Sequence, residues 1–382
     1  MLPASTALGT ALSETEQTRI VTVVRDLDLV PGDRLHCLEL IDCFDTDRRH
    51  VVGPLGVKIG RTPPSDIVLL DSEVSRSHCF VALKGDDLFV SDLGSTNGTY
   101  VDGVRVEGTV PLPVGSLLQV GKRSLQHEFR TRTEISQSDE LDRELQRASA
   151  FIQALLPPPS RDPPIRTDWV HVPCARLGGD AFGYGQLADD AFVAYLIDVA
   201  GHGPGAAMLA VAVMSQLRQR TLPDCDMHSP AEVLTTLNRL YQMDEQAGLF
   251  FTIWYGVYDS GSRRLTYASA GQHPALLVPG DRSHAIPIGN RNLVIGAVPG
   301  MVYKEASSDV PPGSAIYLFS DGVFEITDRT GRQWNFADFE QLVLAPALDG
   351  VGETERLFHA VREASAPGPL EDDFSLVVAK FD

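Results

Sequence analysis

Four aspartates stand where apolar runs end: Asp180 in LGGD, Asp198 in AFVAYLIDVAGHGPG, Asp321 in IYLFSDG and Asp372 in EDDFSLVV. An acid beside glycine is often only a turn residue. Four placed alike, in a chain of formal charge −19, is a costlier arrangement, because converging carboxylates repel one another unless a cation neutralises them. Ligand sets made only of oxygen suit Mg2+ or Mn2+ rather than zinc or copper. Glycines at 201, 203 and 205 would let backbone and water approach such ions closely. A second group lies nearer the N-terminus, in IGR (59–61), SRSH (75–78) and LGSTNGT (93–99). Arg61, Ser75, Arg76, Thr96 and Asn97 offer a guanidinium fork, hydroxyls and an amide, the donors that a phosphate dianion needs. Singly, the serines and asparagine read as turn formers.

The elements that must position these groups differ between the two halves of the chain. At 382 residues and 43% hydrophobic, two or three domains with real cores are expected. Residues 1–18 are polar and small and read as a disordered tail. Residues 19–132 alternate in short runs such as HCFVAL and DLFVSDL, punctuated by Asn97-Gly98 and Asp102-Gly103, which predicts a β-sandwich. Residues 133–165 form a linker. Leu141, Leu145, Ala148, Ile152 and Leu155 keep a heptad spacing, suited to a parallel dimer seam or to packing on a neighbouring domain, before the proline-rich stop PPPSRDPP. Residues 166–382 mix strands and helices. SPAEVLTTLNRLYQM predicts a helix with Ser229 as N-cap, Pro230 in the first turn and Glu232 closing a capping box. FTIWYGVYDSGSRRLTYASA predicts a hairpin turning at Asp259 to Ser262. Hairpins dominate over βαβ units, so this half is α+β with antiparallel sheets.

Composition also excludes. No basic footprint for nucleic acid is visible, and no apolar run approaches the roughly 20 residues that span a bilayer. The opening residues lack the basic and apolar regions of a signal peptide. Five scattered cysteines, Cys37, Cys43, Cys79, Cys174 and Cys225, argue against a disulfide framework and for a reducing cytoplasm. Cys37 and Cys79 lack the arginine six residues on that a cysteine phosphatase needs.

The string GR…SRSH…GSTNGT resembles a forkhead-associated (FHA) domain. The resemblance implies a β-sandwich that reads phosphothreonine in a partner, with Arg61, Ser75 and Arg76 holding the phosphate, Thr96 and Asn97 fixing the loop and the peptide backbone, and His78 bracing the loop. The series GGD…DVAGHGPGAA…FTIWYGVYD…YASAGQHPALL…SDGVFE…DDFSLVV is similar to the metal-dependent protein phosphatases (PPM), in particular their bacterial SpoIIE/RsbU-like branch. What this implies is an antiparallel β-sandwich flanked by helices, holding two divalent cations, Mn2+ or Mg2+, that share a water which attacks phosphorus in line. By position Asp198 would bridge both ions, the Val199 carbonyl would bind one, Asp321 and Asp372 would hold the second, and Asp180 would bind directly or through water. The implied activity is a protein serine/threonine phosphatase of a bacterial signalling pathway, acting on a phosphorylated anti-sigma-factor antagonist of the STAS class. The alternative is a catalytically weak phosphatase fold serving as an FHA-directed adaptor; retention of all four acids favours activity.

Two departures from the family pattern matter. A second acid often follows the first by three residues, and here that position is Gly183. The common AGHNP is AGQHP at 270–274, which gives His273 a structural reading, while His202 in the glycine turn is a candidate to face substrate. RLGGDAF superficially resembles a diguanylate cyclase, but Ala181 stands where such enzymes need a second acid.

Overall fold

The computed structural model describes residues 34–41, 48–187, 190–348, 350–366 and 370–382. The expected tail, residues 1–18, lies outside the described residues. The chain divides into two compact units, one ending at Arg147 and one beginning at Ala148.

The first unit is all-β up to its final helix. Its strands are β1 (Arg34–Leu40), β2 (Arg49–Val51), β3 (Val57–Gly60), β4 (Ile67–Val68), β5 (Cys79–Lys84), β6 (Asp87–Asp92), β7 (Thr99–Val101), β8 (Val104–Arg105), β9 (Thr109–Leu112), β10 (Leu117–Val120) and β11 (Arg123–Thr131). They form a six-stranded sheet, β2-β1-β11-β10-β7-β8, and a five-stranded sheet, β4-β3-β5-β6-β9. Alternation sends Leu88 and Val90 of β6 inward, where they join Leu38, Ile59, Val81, Leu118 and Leu125 in one core. Asp102 and Gly103 both take positive φ, as the tight β7–β8 hairpin requires. Asn97-Gly98 is not such a turn. Only Gly98 has positive φ, and the Asn97 side chain donates to the Glu73 carbonyl.

Helix α1 (Arg132–Leu155) follows, and the boundary between the units falls inside it. Its first half is fixed to the sandwich by charge. Arg49 pairs with Glu39 (3.0 Å) and Asp139 (2.5 Å), and Arg48 pairs with Glu39 (3.0 Å) and Asp142 (3.2 Å). Asp142 is buried while Leu141 of the heptad seam stays 58% exposed. The seam was expected to be the buried stripe. In this half Arg48 and Arg49, at the start of β2, draw the acidic face inward instead, because a buried charge must be paired. In the second half Leu155 packs on the core of the second unit, and its carbonyl accepts from Arg218 (2.8 Å).

The second unit contains β12 (Ile165–Val172), β13 (Asp180–Gln186), β14 (Ala191–Val199), α2 (Pro204–Gln219), α3 (Pro230–Leu240), β15 (Phe251–Asp259), β16 (Arg264–Ala270), β17 (Ala275–Val278), β18 (Ile286–Ile288), β19 (Ala306–Asp309), β20 (Ala315–Phe319), α4 (Phe336–Leu344), α5 (Glu353–Ala364) and β21 (Phe374–Phe381). Two five-stranded antiparallel sheets, β13-β14-β15-β16-β19 and β12-β21-β20-β17-β18, pack face to face. Helices α2 and α3 cover the outer face of the first sheet, and α4 and α5 cover that of the second. Covered on both faces, β14 is buried from Ala191 to Ile197, which explains its unbroken apolar run. The expected hairpin forms between β15 and β16. The expected capping box of α3 forms by half. Ser229 accepts from the Glu232 amide, but the Glu232 carboxylate turns away to the amide of Asp226. No helix among the described residues is long and apolar enough to cross a membrane.

Candidate metal centre and phosphopeptide loops

The carboxylates come from both sheets of the second unit. On the first sheet Asp180 opens β13 directly opposite Asp198 in β14. On the second sheet the end of β20 and the start of β21 are tied together. The Ser320 hydroxyl donates to the Asp373 carbonyl (2.9 Å) and accepts from the Ser375 amide (3.0 Å). That tie brings Asp321 beside Asp372. A Cβ on Gly322 would stand 2.4 Å from the Asp373 carbonyl, so the close approach demands glycine. Gln272 links the sheets here, accepting from Thr252 and donating to the Phe319 carbonyl (3.3 Å).

Asp373 is the residue the sequence reading passed over. It is 4% exposed and accepts from the amides of Cys174 (2.8 Å), Gly179 (2.6 Å) and Asp180 (3.3 Å). Asp372, its neighbour, is exposed. The run Glu371-Asp372-Asp373 was the available signal. Both acids precede β21, so no strand alternation sorts them, and the inward turn of Asp373 is set by the amides that wrap it. Glu325 also acts on Asp198 and Asp321.

The electrostatics show convergence. Burial, then the carboxylates of Asp321, Asp372, Asp373 and Glu325, push Asp198 up to about 7. Burial, then Asp372 and Glu325, push Asp321 up to about 6. Asp180 is raised by burial, then by Asp198 and Asp373, and Asp372 by burial and Asp373, with His202 opposing. The Asp180 Oδ2 atom is buried and has no hydrogen-bond donor among the described residues. An unpaired buried carboxylate oxygen is costly, and a cluster of mutually repelling oxygens is what a hard divalent cation reverses. The donor set therefore fits Mg2+ or Mn2+.

The three glycines after Asp198 are not equivalent. Gly201 and Gly203 take φ of +89° and +97°, whereas Gly205 meets only a Leu249 methyl at 3.7 Å. The crowding lies before Asp198. A Cβ on Gly179 would stand 2.5 Å from the Val199 carbonyl and 2.8 Å from that of Gly201. A Cβ on Gly183 would meet the Tyr195 hydroxyl at 2.2 Å, and that hydroxyl donates to the Met214 carbonyl (3.3 Å). A phenol thus fills the space an acid at 183 would need. His273 sits among Phe319, Phe324 and Phe336, with burial driving it down to about 4; a neutral ring in an apolar cage is a packing element. His202 is exposed beside Asp372.

In the first unit, Arg61, Ser75, Arg76, Thr96 and Asn97 lie on three loops that hydrogen bonds draw together. The Arg61 amide donates to the Ser75 carbonyl (2.9 Å), and the Thr96 amide to the Ser75 Oγ (3.1 Å). His78, fully buried, accepts at Nδ1 from the Ser75 amide (3.0 Å), so Nε2 carries the proton and donates to the Gly98 carbonyl (3.1 Å). Asp92 shapes the third loop by accepting from the Gly94 and Ser95 amides and from the Ser95 and Thr99 hydroxyls. Gly60 permits the loops to close, since a Cβ there would meet the Arg76 carbonyl at 2.3 Å.

A β-sandwich with a tied arginine–serine–asparagine loop set and a helix-flanked β-sandwich with a carboxylate cluster define a two-domain protein of the FHA and PP2C-type phosphatase folds. The Stage II sporulation protein E (SpoIIE) profile matches residues 188–382, just over half of the chain, and the FHA domain profile matches residues 57–121. The chain belongs to the SpoIIE family and carries an FHA domain. It is 27% identical to "Phosphoserine phosphatase RsbU" of Bacillus subtilis (strain 168) over 211 residues, 55% of this chain and 62% of RsbU. It is 37% identical to "FHA domain-containing protein FhaB" of Mycobacterium tuberculosis (strain ATCC 25618 / H37Rv) over 81 residues, 21% of this chain and 52% of FhaB. The chain therefore spans less than two thirds of the length of either relative. Its fold is like that of the solved "SiaA-PP2C domain of Pseudomonas aeruginosa", at a TM-score of 0.55 and 18% identity, covering 64% of this chain and 98% of that one.

Proposed function

We propose that this chain is a metal-dependent protein serine/threonine phosphatase of a bacterial signalling pathway, directed to its partners by a phosphothreonine-binding FHA domain. The observation that carries the reading is the convergence of Asp180, Asp198, Asp321 and Asp372 from both sheets, with one buried oxygen of Asp180 left without a donor. Asp198, at the centre of the electrostatic network, would hold both ions, the Val199 carbonyl and Asp180 would hold one of them, and Asp321 and Asp372 the other. When bound, Mn2+ or Mg2+ lowers the pKa of water and neutralises phosphoryl charge. The chain's own groups orient and exclude: Gly201 and Gly203 keep the turn bare of side chains, and His202 lies where a substrate phosphate would approach Asp372. Likeness to RsbU supports a phosphoserine substrate, and the family resemblance of the motifs makes that substrate a phosphorylated anti-sigma-factor antagonist of the STAS class in the cytoplasm. The domain limits that follow are 19–132 for the FHA domain, 133–165 for the linker and 166–382 for the phosphatase.

Phosphate release from para-nitrophenyl phosphate and from phosphoserine and phosphothreonine peptides is expected with Mn2+. A chelator should lower it by about a hundredfold or more, and added Mn2+ should restore it. Release indifferent to the chelator would refute the metal assignment. No release under any metal would leave the adaptor reading.

Leu141 and Phe151 of α1 are exposed, which supports a homodimer paired through the linker helix. Light scattering should give a dimer mass for the wild type and a monomer mass for Leu141→Glu. A monomeric wild type ends this proposal.

A further inference from the structure

Cys174 lies in the loop between β12 and β13 and takes no part in the reading above. Its Sγ and carboxylate oxygens of Asp372 and Asp373 lie within 4.8 Å of one another. The loop is built around this spot. The amides of Cys174 and Gly179 both donate to the Asp373 carboxylate, so residues 174–179 wrap one acid. A Cβ on Gly178 would stand 2.2 Å from the same carboxylate, so only glycine allows the loop to close on it. Asp180, the next acid along, acts on both Cys174 and Asp373. It is 4% exposed, and its Oδ2 lacks any hydrogen-bond donor. That orphaned oxygen, already assigned to the all-oxygen centre, marks this end of the sandwich as one where a cation belongs.

The chemistry of the three ligands differs from that of the all-oxygen centre. A sulfur ligand beside carboxylates favours zinc, cobalt or cadmium over magnesium or manganese. Hard ions leave a thiol protonated, while a thiophilic ion forms a strong enough sulfur bond to displace the proton. We propose that Cys174, Asp372 and Asp373 form a mixed thiolate–carboxylate seat for a thiophilic divalent cation, with Asp372 shared with the all-oxygen centre. On binding, the sulfur–metal bond forms, the S–H bond breaks and the proton passes to solvent; nothing is oxidised or reduced. Asp372 is exposed, with its Oδ1 accepting from the Asp373 amide (2.7 Å), and water completes a tetrahedral shell. The consequence rests on the reading of Asp372 as a hard-ion ligand: zinc in this seat withdraws Asp372 and opposes Mn2+.

The test uses the full chain and Co2+ as a spectroscopic probe. A sulfur-to-cobalt charge-transfer band should rise to one equivalent in the wild type, persist in Cys225→Ser and vanish in Cys174→Ser. Zinc affinity, measured by competition with a chromophoric chelator, should fall by about tenfold or more in Cys174→Ser, the scale expected for losing one ligand interaction. No band in the wild type, or a band surviving in Cys174→Ser, overturns the proposal. A measurement without any variant guards against misfolding: zinc should slow maleimide labelling of Cys174, mapped by mass spectrometry, and equal labelling with and without zinc also overturns it. Mn2+ binding followed by electron paramagnetic resonance in Asp198→Asn reports on the all-oxygen centre alone, so failure of that reading and failure of this one are distinguishable.

Discussion

Asp198→Asn should lower Mn2+-dependent phosphatase activity by about a thousandfold while making the metal-free protein more stable. The two effects have one cause. Asp198 lies in the field of Asp321, Asp372, Asp373 and Glu325 and is pushed up to about 7. In the proposed centre its charge would hold the cations, and losing several kcal/mol of that interaction corresponds to about three powers of ten in rate. Without cations the same charge is only repelled, and an amide of equal size removes the repulsion. The pH dependence has a definite sign. A folded pKa raised above the ordinary carboxylate value means that the native state binds the extra proton between about pH 4 and pH 7. Stability of the metal-free wild type is therefore highest below this window and falls as pH rises through it, and the Asn variant should show a flatter profile. Thermal melts in chelator at pH 5 and pH 8, with rates at saturating Mn2+, check both halves. Wild-type rates in the variant, or a lower metal-free Tm, would sink the bridging assignment.

Arg61→Ala should remove most of the affinity for phosphothreonine peptides. A charge-assisted hydrogen bond contributes about 1.5 to 3 kcal/mol, on the order of ten- to a hundredfold in Kd. Lys or Arg contacts to phosphate also count for more here because the chain as a whole carries −19, so the attraction for a phosphopeptide has to be local. The variant should fold normally. It is the Arg61 amide, not the side chain, that ties this loop to Ser75, and the buried His78 holds the neighbouring loop independently. Titration calorimetry with phosphorylated and unphosphorylated peptides decides it: equal affinity of wild type and variant for the phosphopeptide would refute the phosphate role of Arg61.

Much of this protein is legible locally. Alternation in β6, the unbroken apolar run of β14, the β15–β16 hairpin and the Ser229 cap follow from periodicity and side-chain chemistry within a dozen residues. Both ordered sets of motif residues also stand in the sequence, because the residue types proposed to hold phosphate or cations are set by the chemistry of the ligand and not by distant packing.

What only the tertiary structure decided depends on partners far apart in sequence. Of the adjacent acids Asp372 and Asp373, the second turns inward because amides nearly two hundred residues earlier wrap it. The first half of α1 buries Asp142, half-buries Asp139 and leaves Leu141 of its seam exposed, because Arg48 and Arg49, some ninety residues away, are there to pair with the two acids. A heptad pattern states which face is apolar. It cannot state that a neighbouring sheet offers two arginines, and a paired buried charge competes with apolar burial only when the fold brings the pair together.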